Sequence, residues 1–478
     1  MHTPIYDFVS KYMDSDAVRL HMPGHKGQPL LGCEARDITE IAGADALYEA
    51  SGIIEESEAN ATTLFGTAKT VYSTEGSTQC IKAMLELVRR WWLELQRKSK
   101  LAKCNYTDSI EVDVEMIKAV GEREKRPLVL AARNVHKAFI YAAILLDFEV
   151  VWLWPEEEDA SLCECKVTAE TLERVLEEKC GSVAAVYLTS PNYLGGLANI
   201  PALARICHEH NVLLCVDNAH GAYLHFLENS LHPMDFSADL CCDSAHKTLP
   251  VLTGGAYLHI GKKAPEELCG WAKDAMELFG STSPSYLILQ SLDLCNACLA
   301  KNFRESLALT CYKTEQTRAV LRQQGWRVEE TDPLRITIKA PEGLTGQELA
   351  EQLRQNQIEC EYADADYLVA MVTAWNREED FERLIEVLGE NKRSYGMAEN
   401  KRIPPVVRAE AVWSMRQAYF ASGEVLKVEQ AKNCICRKPT ATCPPAIPVV
   451  VPGERIDEAA IQRFLYYGID RVEVVQEA

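Results

Sequence analysis

The amino-acid sequence predicts an α/β protein: a mainly parallel sheet covered on both faces, followed by a smaller α+β unit. Three observations carry this. Between residues 128 and 216, short apolar runs alternate with helical patterns, as in a parallel sheet joined by crossover helices. Polar residues follow several of those runs, at 133–136, 190–192 and 217–220, where ligands of such sheets gather beyond the strand ends. After residue 333 short strands flank a helical pattern, as in a small α+β domain. The expected organisation is an N-terminal arm over 1–40, a cofactor-binding large domain over 41–310 and a C-terminal α+β domain over 311–478. A chain of 478 residues, 47% hydrophobic and 25% charged, is long enough for two domains and a large core.

Taken in order, an amphipathic stretch over 6–12 leads to His21-Met-Pro-Gly-His-Lys-Gly27. This loop suits neither core nor helix, and is either an exposed turn or a carrier of polar groups to a site. Residues 37–66 suggest short helices and loops. Residues 69–73 predict a strand, and Glu75-Gly-Ser-Thr78 opens a helix whose Ile81, Leu85, Val88 and Trp92 recur at near-helical spacing. Ser77 or Thr78 is placed to cap it, and Gly76 lets the backbone approach a ligand. Free N–H groups there suit a phosphate, although Gly-Ser-Thr is also a plain cap. The charged residues 95–126 predict a helix extension and an exposed insertion. Strands are expected at 128–131, 150–153, 183–188 and 212–216, and helices near 136–146, 168–179 and 201–210. From 263 the pattern is more helical, interrupted at 280–286 and resumed over 287–299 and on to about 324. Strands at 335–338 and 368–372 with a helix at 346–355 make the small domain. A proline-stiffened extended stretch, 443–454, precedes a closing helix at 457–467.

The chemistry concentrates at 239–255, where an apolar run ends in Ser244-Ala-His-Lys247 and Thr253-Gly-Gly255 follows. Desolvation among small and apolar neighbours lowers a lysine's pKa and frees its amine to attack carbonyls. Such an amine between hydroxyl and imidazole donors suits a pyridoxal phosphate Schiff base. The competing reading is an ordinary lysine on a surface turn. Asp217 ends another apolar run and either caps a turn or is a buried carboxylate held ionised by a cation such as a pyridinium nitrogen. His136 follows a further strand, either as a solvated loop histidine or as a flat ring stacked on a flat cofactor.

Composition excludes other classes. A formal net charge of −20 and pI near 5.1 oppose nucleic-acid binding and favour small cations. The N-terminus has no basic region followed by an apolar one, so no signal peptide is expected. No apolar stretch of about 18 residues predicts a membrane span. Of the 18 cysteines, Cys215, Cys241, Cys242 and Cys295 sit in apolar runs, which suits buried reduced thiols in a cytoplasm. Cys163-Glu-Cys165 and Cys434-Ile-Cys436 lack a matching second pair, so no metal is expected.

An ordered set of short motifs runs through most of the chain: Arg19-Leu-His-Met-Pro-Gly-His-Lys-Gly27, Asp37-Ile-Thr-Glu-Ile41, Leu64-Phe-Gly66, Glu75-Gly-Ser-Thr78, Arg133-Asn-Val-His-Lys137, Leu188-Thr-Ser-Pro-Asn192, Val216-Asp-Asn-Ala-His-Gly221, Ser244-Ala-His-Lys-Thr-Leu-Pro250 and Ser281-Thr-Ser-Pro-Ser-Tyr286. Together they resemble the bacterial ornithine/lysine/arginine decarboxylase family of fold type I pyridoxal phosphate enzymes. The length resembles the short form without an N-terminal wing domain. The resemblance implies that Lys247 carries the cofactor, that Asp217 faces its ring nitrogen, and that His136 stacks on the ring with His220 nearby. It implies that Gly76, Ser77, Thr78, Ser244 and His246 surround the phosphate. Ser281 and Thr282 would reach the cofactor of a partner subunit in a homodimer with shared sites, and Glu361 would receive the substrate's distal cation. Two departures stand out: Asn218 replaces the family's glutamate after the key aspartate, and Ala446 replaces a glycine. Residues 95–126 also look longer than the usual connection.

The reaction so implied is decarboxylation of arginine, lysine or ornithine to agmatine, cadaverine or putrescine. A second reading keeps the cofactor in an aminotransferase, with Arg335 gripping the α-carboxylate. A third is a cofactor-free interaction protein, which retention of Lys247, Asp217, His136 and the phosphate-site hydroxyls opposes.

Overall fold

Seven strands form the central sheet: β1 (Lys69–Ser73), β2 (Leu128–Ala132), β3 (Glu149–Leu153), β4 (Val183–Thr189), β5 (Leu213–Asp217), β6 (Leu240–Asp243) and β7 (Ala256–Ile260). Their order in the sheet is β1-β7-β6-β5-β4-β2-β3. Strands β3, β2, β4, β5 and β6 pair in parallel, and β7 runs antiparallel to both β6 and β1. This computed structural model describes residues 1–103, 126–179, 181–390, 403–441 and 444–476. Most of the predicted insertion at 95–126, and Cys443, lie outside the described residues.

Both faces of the sheet are covered, and the side-chain period of two sorts the strands between them. From β2, Val129 and Ala131 join Tyr187, Cys215 and Cys242 against Ile81, Leu85, Val88 and Phe139 of the helices Gly76–Lys103 and Lys137–Leu146. The alternate residues Leu130, Val186, Leu214, Val216 and Cys241 pack against Leu172, Leu176, Leu203 and Ile206 of Ala169–Glu178 and Ile200–Glu209. That is why β2 and β5 are apolar nearly throughout. Thr168 and Asn199 start the two outer helices, their side chains accepting from Thr171 N–H and Ala202 N–H.

The predicted strands at 69–73, 128–131, 150–153, 183–188 and 212–216 match observed ones to within a residue or two. The helix at 346–355 is observed as Gly346–Gln355, held by a reciprocal Thr345/Glu348 capping box. Strand β7 has no sequence counterpart in the α/β alternation, because its antiparallel return needs no crossover helix. Beyond the large sheet the described residues form two further sheets. One orders four strands as β10-β11-β9-β8, with β8 Arg327–Val328, β9 Arg335–Lys339, β10 Tyr362–Ala363 and β11 Tyr367–Met371. The other pairs β12 (Gly423–Lys427) with β13 (Arg471–Val475) around a separate core of Val450, Phe464 and Val472. The helix Phe303–Gln323 runs through position 310, where the large domain was expected to end. Residues 444–453 form a turn-rich connection rather than the expected extended stretch. Arg133, just past β2, ties it down by donating to the carbonyls of Pro448 (3.0 Å) and Val449 (2.9 Å).

The N-terminal helix Pro4–Met13 docks on Tyr286–Leu299, where the Asp293 carboxylate accepts the N–H groups of Ile5 and Tyr6, each at 3.0 Å. Among the described residues no helix is long and apolar enough to cross a membrane.

Candidate active site

The predicted residues converge at the carboxyl ends of the parallel strands. Strand β6 stops at Asp243, and Ser244 leads into the single turn Ala245–Thr248, which presents His246 and Lys247. The chain returns to β7 through Gly254, which has φ +102° and would place a Cβ 2.8 Å from the Thr74 carbonyl. Gly76 N–H donates to the Gly254 carbonyl at 2.7 Å, so the lysine turn and the start of the long helix are knitted together. The hydroxyls of Ser77 and Ser244 meet at 2.7 Å. That helix begins at Gly76, so Ser77 and Thr78 occupy its first turn and neither caps it. First-turn N–H groups beside two serine hydroxyls form a place for an anion.

Asp217 ends β5, in register between Thr189 of β4 and Cys242 of β6. It accepts from Tyr187 Oη (3.3 Å), Ala219 N–H (3.1 Å) and the Cys242 thiol (3.6 Å). It therefore caps a turn and is also a buried carboxylate. Burial raises its pKa, opposed first by the charge of Lys247. His136 caps the helix after β2, its Nδ1 accepting Ala138 N–H at 3.1 Å. Burial, then the charge of Lys247, pulls it down to about 4, so the ring is neutral. Lys247 Nζ lies 2.8 Å from His220 Nε2. Burial lowers the lysine's pKa; the carboxylates of Asp217 and Glu361 oppose this and Arg335 adds to it. His220, on the turn after Asp217, is held well below the usual imidazole range by burial and then by Lys247 and Arg335. Gly221 follows it because a Cβ there would stand 2.0 Å from Asn218 Oδ1.

The small sheet supplies the opposite wall. Glu361 Oε1 accepts the Tyr193 hydroxyl at 2.9 Å. The Tyr193 ring stands edge-on to His220 with centroids 4.9 Å apart, and to Tyr362 at 5.2 Å. Arg335, on β9, is buried and binds Asp332 with one terminal nitrogen and His220 Nδ1 with the other. Tyr223 donates to the same Asp332 carboxylate. Sequence reasoning missed Tyr193, although it follows the quoted Ser190-Pro-Asn192. It saw Arg335 only as a grip for an α-carboxylate, whereas both terminal nitrogens are committed inside the protein.

Other predicted residues stand apart from Lys247 within one chain. The loop 21–27 folds on its own surroundings: Tyr12 Oη meets His21 Nε2 at 2.6 Å and His25 Nε2 meets Asp37 at 3.2 Å. Ser281 and Thr282 are exposed, with Ser281 N–H donating to Glu75. His246 Nδ1 donates to the Gly255 carbonyl at 2.9 Å, which leaves Nε2 for a phosphate only when the ring is protonated. Asn218 turns away from Asp217 and donates to Asp243 Oδ1 at 2.7 Å. Asp243 Oδ2 also meets His232 Nε2 at 3.0 Å and His259 Nε2 at 3.1 Å. These three side chains bring possible metal-ligating atoms within 4.8 Å of one another. Hydrogen bonding accounts for the group: His232 Nδ1 accepts Met234 N–H (3.3 Å), so Nε2 carries the proton donated to Asp243.

Pyridoxal phosphate fits the residues at the strand ends. Among the described residues the hydrogen bonds to Asp217 come only from neutral donors, so a cationic ring nitrogen would complete it. The Thr189 hydroxyl beside it is buried without a hydrogen-bond partner.

Solved structures share this architecture over the whole chain. Lysine decarboxylase A from Pseudomonas aeruginosa aligns with a TM-score of 0.78 at 17% identity, covering 99% of this chain and 80% of that one. The constitutive lysine decarboxylase of E. coli aligns with a TM-score of 0.74 at 18% identity, over 99% and 82%. An alanine–glyoxylate aminotransferase from Nostoc sp. aligns more loosely, with a TM-score of 0.53 over 71% of this chain. The fold is that of the fold type I pyridoxal phosphate enzymes. Within that class, the Orn/Lys/Arg decarboxylase major-domain family model matches residues 112–340. The arginine decarboxylase of Bacillus subtilis is 25% identical over 498 residues, 98% of this chain and 94% of that protein. That of Halalkalibacterium halodurans is 26% identical over 96% of this chain and 91% of its own length. The chain is thus similar to the Orn/Lys/Arg decarboxylase family over these residues, and to arginine decarboxylases over nearly its whole length.

Proposed function

We propose that this protein is a pyridoxal phosphate-dependent decarboxylase that converts arginine, lysine or ornithine to the corresponding amine and carbon dioxide. The observation that carries the reading is the pair of carboxylates near Lys247: Asp217 at the end of the strand beside the one that leads to the lysine, and Glu361, joined through Tyr193 to His220, whose Nε2 lies 2.8 Å from Lys247 Nζ. One matches a ring cation and the other a substrate's distal cation. When bound, pyridoxal phosphate supplies the electron sink for the carbon that loses carbon dioxide. Ser77, Ser244 and the first-turn N–H groups hold its phosphate, Asp217 its ring nitrogen and the neutral His136 its face. Lys247 Nζ is the nucleophile and the nearest proton carrier, oriented by His220. Tyr193 aims the Glu361 carboxylate. Walls on both sides of the lysine fix the substrate and exclude water.

The aminotransferase alternative requires a small-domain arginine open to an α-carboxylate, and Arg335 is already bound at both terminal nitrogens. Exposure of Ser281 and Thr282 in the single chain supports a homodimer in which they serve the partner's phosphate site. Cys215, Cys241, Cys242 and Cys295 are buried free thiols, which suits a cytoplasmic enzyme. Carbon dioxide release from arginine, lysine and ornithine in turn by the cofactor-loaded protein tests the reading. Release from one of them is expected; transamination of all three without release would overturn it.

A further inference from the structure

We propose that Arg335 is a positioning residue that fixes the tautomer of His220 and thereby holds Lys247 as an uncharged amine. The inference rests on Lys247 being the cofactor-bearing lysine. It follows from where protons can sit. A guanidinium has donors only. Arg335 is bonded to His220 Nδ1, so Nδ1 accepts and carries no proton. A neutral imidazole with a bare Nδ1 has its proton on Nε2. That atom lies 2.8 Å from Lys247 Nζ, so it donates there and the lysine nitrogen must offer a lone pair. An ammonium has none. The reverse arrangement, a lysine ammonium donating to a bare Nε2, would turn an Nδ1–H against the guanidinium N–H. Two donors would then face each other in a buried site, at the cost of leaving both unsatisfied.

Arg335 cannot easily swing away. Its other terminal nitrogen is bound by Asp332, itself held by the Tyr223 hydroxyl, and its carbonyl accepts Arg318 Nε–H at 2.9 Å. Arg335 and Asp332 are both almost fully buried, so each would be an uncompensated charge without the other. The lock matters because Lys247 is contested. Asp217 on β5 and Glu361 beside β10 favour the ammonium, as would a charged Cys242 on β6; burial and Arg335 on β9 oppose it. His136, His220 and His246 feel the same lysine and are all shifted toward their neutral forms. Condensation of an amine with an aldehyde joins nitrogen to carbon, expels one water and starts from the lone pair. A histidine that donates to the amine keeps the amine unprotonated, and its lone pair is released for attack when that hydrogen bond opens.

The test has two readouts on the full-length chain. Nitrogen-15 NMR of histidine-labelled protein, with the His220 signals identified by their loss in His220→Asn, reports which ring nitrogen carries the proton. Expected is a protonated Nε2 and a bare Nδ1. The second readout is the rate at which added pyridoxal phosphate condenses with the chain, followed by visible absorbance from about pH 6 to about pH 10. Arg335→Met should raise the midpoint of that profile by about one pH unit, or about tenfold slower condensation at neutral pH. Arg335→Lys, which also only donates, should restore most of the shift. A proton on His220 Nδ1, or an unchanged midpoint in a folded Arg335→Met, would overturn the proposal. Should Arg335→Met fail to fold, the tautomer in the unmodified chain decides alone. Absence of condensation in the unmodified chain at every pH would count against the proposed function, and the His220 tautomer would still decide this inference.

Discussion

Asp243 and Lys247 stand four residues apart at the end of one strand, and each is the centre of a histidine–carboxylate network. Around Asp243 the network is sealed from solvent: His232, Asp243 and His259 have no solvent exposure, and Asn218 Nδ2 fills the remaining position on the carboxylate, its own Oδ1 being buried without a hydrogen-bond partner. Around Lys247 it is open. The lysine is half-buried, and among the described residues Asp217 meets only neutral donors and the Thr189 hydroxyl has no partner. The same residue types therefore do different work according to what is left unsatisfied. A carboxylate surrounded by donors and shut off from solvent rigidifies the strand ends. An open set, with charges held away from their ordinary protonation states, is where ligand and reaction belong.

The largest effect should come from the open network. Lys247→Ala should lower carbon dioxide release by at least about a thousandfold while leaving the urea midpoint nearly unchanged. Asp243→Ala should show the opposite balance, because it strands two buried histidines. Expected is a loss of about 3–5 kcal/mol in urea unfolding, with far less loss of rate per folded molecule than Lys247→Ala shows. If Asp243→Ala destroyed activity without lowering stability, the contrast between the networks would fail.

Acid sharpens the same contrast. The His136 ring is held neutral in the fold, with its pKa lowered to about 4. The unfolded chain therefore binds more protons between roughly pH 6.5 and that value, and stability falls as pH falls across the window. Asp243 is held below the usual carboxylate range despite its burial, chiefly by His232 and His259. Its contribution is complete above the unfolded carboxylate value near pH 4 and is lost as pH falls further. Urea midpoints against pH should show both losses. His136→Gln should make the upper loss smaller, the remainder coming from His220 and His246, and Asp243→Asn should act mainly on the lower. The smallest effect is expected at the far wall. Tyr193→Phe removes one hydrogen bond to Glu361 and should raise KM about threefold to tenfold, with kcat changing less.

The strands that carry the open network were legible in the sequence because β2, β4 and β5 are short apolar runs separated by helical periods. Lys247, Asp217, His136 and the serines were legible because each immediately follows such a run. The sealed network was not, since it unites His232 and His259 from a loop and from β7, and the antiparallel β7 breaks the alternation that revealed its neighbours. Strands β12 and β13 were missed because β12 is mostly exposed and polar at its ends. Arg335 was recognised as part of a strand, but its commitment to Asp332 and His220 is a long-range fact. Tyr193 likewise acquires its role only when the small sheet brings Glu361 against it.

The most direct test of the account is borohydride reduction of the pyridoxal phosphate-loaded protein, followed by mass mapping of its peptides. The account predicts a single pyridoxyl label on Lys247. A label on another lysine, or none on a protein that releases carbon dioxide, would contradict it.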